Sequence, residues 1–180
     1  EGICEMSKMG VKDSKRISDN GILKLAKHLR ETFPYTVVRL FPLKYNELHA
    51  KFKNLNRLLG WAHAAALGDL ALKTGCKKAL LDQFAEKHVM EAALKQKKID
   101  VALSQKVRGE EDLVVAAASI LARAAFLEGM KSLSDEYGME IPKGASPLVK
   151  QVAQKLILQF GREVLQKVAK IHFKTTGEIE

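Results

Sequence analysis

The sequence predicts an α/β fold. Three observations carry that reading: short β-branched or apolar runs at 35–41, 79–82 and 100–107, longer stretches of helical apolar period between them, and a length of 180 residues with 47% apolar and 28% charged content, enough for one domain with a real core. No repeat, low-complexity linker or second domain is visible.

Residues 1–17 read as irregular, with the polar cluster Lys12-Asp13-Ser14-Lys15-Arg16. Ser18 or Asp19 then caps a helix whose apolar face is Ile22, Leu25, Ala26 and Leu29, and Phe33-Pro34 ends it. The run "YTVVRLF" at 35–41 has strand composition. One long helix is expected over 45–73, with Leu48, Phe52, Leu55, Leu58, Leu59, Ala62 and Ala66 on one face and Thr74-Gly75 as its stop. A short strand at 79–82, a polar-faced helix at 85–97 and a strand at 100–107 follow. Gly109 breaks the chain, and Glu110, Glu111 and Asp112 lead into a helix that opens "LVVAAASILARAAFL". That helix is apolar nearly all round and is expected to be buried on most sides. Ser146-Pro147 starts a helix with proline at a tolerated position, another covers 162–170, and the tail is a strand or a loop.

The formal net charge of +9 favours polyanionic partners, nucleic acid first. Cys4 and Cys76 have no framework or metal spacing, which fits a reducing cytosol. No apolar run is expected to reach the ~18 residues of a membrane span, and no signal peptide is seen. A chain that begins at Glu1 without methionine reads as a fragment.

The first chemical signal is Asp82, where the buried run Ala79-Leu80-Leu81 stops. An unpaired carboxylate is costly to bury, so the group must meet water, a partner or a metal. Ligands of α/β sheets bind at strand ends, although a surface turn acid fits this stretch too. The second is Glu110, just before a buried helix whose amide dipoles favour a negative charge; helix-start decoration is the alternative. If the two converge, hard oxygen ligands for Mg²⁺ or Mn²⁺ beside a basic surface suggest phosphodiester cleavage. Lys12, Ser14 and Lys15 in "GVKDSK" suit backbone phosphates or form a solvated turn. Asn54 and Asn56 either reach sugar and base edges or cap local backbone. Lys143 lies in the glycine loop "IPKGASP", a phosphate-binding candidate or a plain turn. The histidines, His172 included, show no metal-binding spacing and read as surface or packing residues.

Taken in order, "GVKDSK" (10–15), "YNEL" (45–48), "NLNRLLGWAHAAAL" (54–67), "LLDQF" (80–84), "VAAASILARAAFLEGM" (115–130), "PKGAS" (142–146) and "KIHF" (170–173) resemble bacterial ribonuclease HIII, a type 2 ribonuclease H. The resemblance implies a ribonuclease H-like fold, a mixed sheet flanked by helices. It implies endonucleolytic cleavage of the RNA strand of RNA/DNA hybrids, leaving 5′-phosphate and 3′-hydroxyl ends. It also implies Mg²⁺ or Mn²⁺ held by a carboxylate set, and a cytoplasmic, monomeric protein with no membrane partner. Asp82 matches the third family carboxylate and Glu110 the fourth, as catalytic and metal residues. The spacing from Glu110 to "AAAS" is shorter than in many relatives, which keeps Glu111 as a backup. Lys12, Ser14, Lys15, Asn54, Asn56, Lys143, Lys170 and His172 are the implied substrate-binding residues.

One departure stands out. The family's first two carboxylates form an Asp-Glu pair in a glycine-rich "DExGxGD" stretch well upstream of "GVKDSK", and only nine residues precede Gly10 here. The pair, the first strand, most or all of the second strand and the N-terminal substrate-binding domain that resembles TATA-binding protein are expected to be absent. Residues 1–180 are then expected to form a partial catalytic domain, metastable, partly rearranged or dependent on the missing segment, with weak cleavage or none. The alternative is a non-catalytic nucleic-acid-binding remnant of the same fold.

Overall fold

The computed structural model describes residues 2–179. Its elements, in chain order, are α1 (Gly2–Lys8), α2 (Asp19–Thr32), α3 (Pro42–Phe52), α4 (Leu55–Thr74), β1 (Lys78–Asp82), α5 (Lys87–Gln96), β2 (Ala102–Lys106), α6 (Leu113–Tyr137), α7 (Pro147–Phe160), α8 (Val164–Val168) and α9 (Lys174–Gly177). Short 3₁₀ turns occupy Ser14–Arg16 and Gly109–Glu111. The chain falls into two compact units: residues 2–38 with 54–125, and residues 39–53 with 126–179.

The first unit is organised by β1–α5–β2. The strands are parallel, in the register Lys78↔Ala102 through Asp82↔Lys106, so their carboxyl ends coincide. Leu81 from β1, Ala64 from α4, and Met90 and Leu94 from α5 form one buried cluster, flanked by Leu67, Phe84, Ala93, Ile99 and Leu103. Full burial of Met90 is worth roughly 2 kcal/mol. Gly60 lets α4 approach α5, because a Cβ there would lie 3.1 Å from the Val89 side chain. Ser18 Oγ accepts the Gly21 N–H at 3.3 Å and starts α2; Ile22, Ala26 and Leu29 bury its inner face. The second unit packs Ala153, Leu165 and Ile179 with Ile157 and Val168.

Five expectations are corrected. The N-terminus is not irregular: Gly2–Lys8 is helical. The 45–73 helix is two helices. The apolar period runs through residues 48–66, but Lys53 adopts the left-handed conformation at φ 51, and the Asn54 side chain accepts the Arg57 N–H and starts a new helix, a cap worth about 1 kcal/mol. The stop at Gly75 is as expected, left-handed at φ 69. The run at 35–41 is not a strand: β-propensity needs a partner ladder to act on, and the only sheet among the described residues is β1–β2, two-stranded and parallel rather than mixed. The tail carries a short helix, α9, rather than a strand or a simple loop.

The fifth concerns α6. An 18-residue window of this helix has mean hydropathy 1.7, long and apolar enough by length and composition to cross a membrane, and 33% of that window is buried. Buried core helices share this property, and Ala116, Ala117, Ile120, Ala124 and Ala125 are indeed inside. The stripe Val114, Ala118, Ala122 and Phe126 is exposed, so α6 is less enclosed than its composition predicts. Apolar residues all round a helix can be buried only where neighbours cover each side.

Candidate active site at the carboxyl end of the parallel strands

Asp82 is the last residue of β1 and Lys106 the last of β2. The apolar run ends where the strand reaches solvent, and the Asp82 side chain is exposed. Its Oδ1 accepts the backbone N–H of Gly109 at 2.9 Å. That contact requires glycine: a Cβ at 109 would stand 2.8 Å from Asp82 Cα and 3.1 Å from its Cβ. The turn that follows is therefore clamped onto the strand end, and it carries Glu110.

Glu110 is half-buried and faces Lys15, whose Nζ lies 3.6 Å from Oε1. The loop that brings Lys15 there is fixed twice. Asp13 Oδ1 accepts the Lys15 N–H at 3.0 Å. Ser14 Oγ and Ser119 Oγ on α6 share a hydrogen bond of 2.6 Å. The three consecutive acids take different places. Asp112 Oδ1 accepts the Val114 N–H at 2.9 Å and opens α6, Glu111 is exposed, and Glu110 meets the lysine. The site thus brings Asp82, Glu110, Ser14 and Lys15 into one connected network, and Lys12 is exposed on the same loop.

Asp82 and Glu110 are hard oxygen donors of the kind that suit Mg²⁺ or Mn²⁺. Among the described residues, however, no group of three or more His, Cys, Asp or Glu side chains is placed to hold an ion. Mg²⁺ dehydrates reluctantly, and two carboxylates alone hold it poorly.

Asn54 spends its side-chain oxygen on the α4 cap, accepting the Arg57 N–H at 3.1 Å, and Asn56 is exposed in the first turn of α4. His63 stacks on Phe84 at 4.9 Å; burial lowers its pKa below the ordinary imidazole value, as fits a packing histidine.

Lys143, Lys170 and His172 belong to the second unit. Lys143 is exposed beside the left-handed Gly144 at φ 89. The Lys170 ammonium lies 4.6 Å from the centre of the Tyr45 ring. His172 stacks on His49 at 4.1 Å, with Tyr45 at 5.7 Å and Phe173 at 4.3 Å. Burial, His49 and Lys170 together lower the His172 pKa, in that order. This cluster hangs on Asn46, a buried polar residue. Its Nδ2 donates to Gln166 O at 2.9 Å and Ala169 O at 2.8 Å, and its Oδ1 accepts the Ile171 N–H at 3.2 Å.

Sequence reasoning missed Gly109 as a clamp and Asn46 as an anchor. Gly109 was visible only as a chain breaker, while its glycine-acid pairing after a strand was the usable signal. An asparagine inside an amphipathic helix carries no sign of a partner more than a hundred residues away.

The family model described as Ribonuclease HII matches residues 1–176. Ribonuclease HIII of Protochlamydia amoebophila is 45% identical over 175 residues, covering 97% of this chain and 58% of the relative. Ribonuclease HIII of Chlamydia muridarum is 49% identical over 169 residues, covering 93% of this chain and 56% of the relative. The chain thus spans a little under three-fifths of these two relatives. A crystal structure described as Bst-RNase HIII in complex with Mn²⁺ superposes with a TM-score of 0.89 at 30% identity, covering 97% of this chain and 59% of that one. The ribonuclease H2 of Pyrococcus horikoshii OT3, at 23% identity and a TM-score of 0.80 over 99% of this chain and 83% of that one, shares the fold.

Proposed function

The chain belongs to the ribonuclease HII family, and from that premise we propose that it acts as a ribonuclease HIII, on the RNA strand of RNA/DNA hybrids. The observation that carries this reading is the Gly109 clamp, which ties the turn bearing Glu110 to the strand-end carboxylate Asp82. The relatives bear the name Ribonuclease HIII, and the structural neighbour holds Mn²⁺; both support the reading.

In this proposal Asp82 and Glu110 hold a divalent ion, with Glu111 in reserve. When bound, such an ion supplies charge neutralisation at a phosphodiester and readies water for attack. The chain's own residues do the rest. The Gly109 N–H engages one Asp82 oxygen and leaves the other available. Lys15, 3.6 Å from Glu110, offsets the charge of that acid and is a cation ready for a backbone phosphate. Lys12, Ser14 and Asn56 lie in the same unit as further strand contacts, whereas Asn54 is occupied by its cap. Lys143, Lys170 and His172 are the proposed contacts of the second unit. The 2′-hydroxyl is the group that distinguishes RNA from DNA. A monomeric, cytoplasmic protein is part of the same proposal.

A second reading, a non-catalytic nucleic-acid-binding remnant, is favoured by one observation: no third metal-ligating side chain joins Asp82 and Glu110 among the described residues. A labelled RNA/DNA hybrid incubated with this chain and Mg²⁺, then separately Mn²⁺, decides between the two. Cutting confined to the RNA strand supports the enzyme. Binding without cutting is the expected result for this chain alone, and it fits either a partial site or the remnant. Cutting by a longer form that carries this chain, lost again with Asp82→Asn, supports the enzyme, and a longer form that binds without cutting supports the remnant.

A further inference from the structure

Two cations at the exit of β2 have no role in the site described above. Lys106 ends β2 in register with Asp82, and Arg108 follows two residues later, immediately before Gly109. Both are exposed. Lys15 is paired with Glu110, but neither the Lys106 nor the Arg108 side chain has a hydrogen-bond or ion-pair partner among the described residues.

The backbone at Arg108 is the second observation. It is left-handed, at φ 55 and ψ 46, a conformation that glycine adopts freely and that costs any residue with a Cβ. The chain is obliged to turn here. Gly109 is pinned by its N–H bond to Asp82 and by the lack of room for a Cβ, so residue 108 absorbs the change of direction. Glycine would serve that turn at lower cost. The sequence instead holds an arginine here, two residues before Glu110 and unpartnered among the described residues, in a left-handed conformation that Lys53 and Lys98 share; what sets Arg108 apart from those two is its place at the strand end that carries Asp82.

A nucleic-acid strand approaching Asp82 and Glu110 brings phosphates toward acids. A free guanidinium at the rim offsets that repulsion and can grip a phosphate through two parallel N–H bonds. We infer that Arg108, with Lys106 beside it, binds a backbone phosphate and holds the strand against the carboxylates. The inference deepens the reading above, on which it rests for the identity of the nucleic acid.

Arg108→Gly separates function from folding, because it removes the cation and relieves the turn at once. Arg108→Gly, Arg108→Lys and the unaltered chain are compared by thermal unfolding, and by fluorescence anisotropy in EDTA with a labelled RNA/DNA hybrid and a duplex DNA of the same sequence over a range of salt. Arg108→Gly is expected to unfold no earlier than the unaltered chain, to bind the hybrid several-fold more weakly, and to lower the slope of log K against log salt by about 0.9, the value for one lost phosphate contact. Arg108→Lys keeps most of the slope. Unchanged affinity and slope in Arg108→Gly overturn the inference and leave the proposed function standing. Earlier unfolding of both variants, in step with weaker binding, assigns Arg108 a packing role and also overturns it. Equal losses on hybrid and duplex DNA, with no preference for the hybrid, keep Arg108 as a phosphate contact and count against the hybrid reading. No binding of either duplex by the unaltered chain overturns the inference together with hybrid recognition by this chain.

Discussion

The strand-end site of the first unit and the aromatic cluster of the second each present a lysine beside a fixed framework, but they are fixed by opposite means. At the strand end, geometry comes from a missing side chain. Gly109 has no Cβ, so its backbone N–H can reach Asp82 across 27 residues of sequence. In the other cluster, geometry comes from a side chain that saturates its bonds. Asn46 donates twice and accepts once, and so holds the backbone that carries Lys170 and His172. The difference predicts different tolerances. The first arrangement fails by steric intrusion, the second by loss of hydrogen bonds.

The largest effect is expected at the reacting groups. Wherever metal-dependent cleavage is measurable, in this chain or in a longer form carrying it, Asp82→Asn lowers the rate on an RNA/DNA hybrid at least about a hundredfold, since a neutral amide is a poor ligand for a hard cation. A variant that cuts at the normal rate would remove Asp82 from the site. Gly109→Ala comes next. Its methyl group has to displace the Asp82 backbone, at a cost of about 1–3 kcal/mol, visible as a lower unfolding midpoint together with weaker cleavage. Asn46→Ala leaves two carbonyls and one amide short of a partner and costs about 2–3 kcal/mol. In contrast to Gly109→Ala, it should spare the Asp82 environment; chemical shifts at the strand end that moved as much as those around His172 would break the proposed division.

The smallest effect is in pH. His63 has its pKa lowered by burial. Below the ordinary value of 6.5 the unfolded chain takes up a proton that the folded chain resists, so stability falls as pH drops through that window and is regained as pH rises. His63→Phe keeps the stack on Phe84 and should flatten the dependence of the unfolding midpoint on pH there. An unchanged slope would show that another group carries it.

Much of this was legible in the sequence, and the failures share a cause. Asp82 was readable because an acid after three apolar residues marks where a strand leaves the core, and Gly75 because a glycine after a long apolar period ends a helix. The cap at Ser18 was readable for the same local reason. The run at 35–41 was misread because its β-branched residues state a local preference and nothing about a neighbouring strand. The break at Lys53 was missed because the apolar face continues in phase across it. In the site, residue types and order pointed to Asp82 and Glu110. The bond that joins their segments was not visible, because it depends on a glycine's empty volume and on strand register.

The Asn46 bonds have a consequence for how the chain acquires its shape. They join residues 120 to 125 positions apart, and contacts so distant in sequence are slow to close. During synthesis from the amino end, α3 is complete long before residues 166–171 exist. Its asparagine therefore waits, hydrated, until more than a hundred further residues have emerged. The cluster around His172 is accordingly a late product of folding.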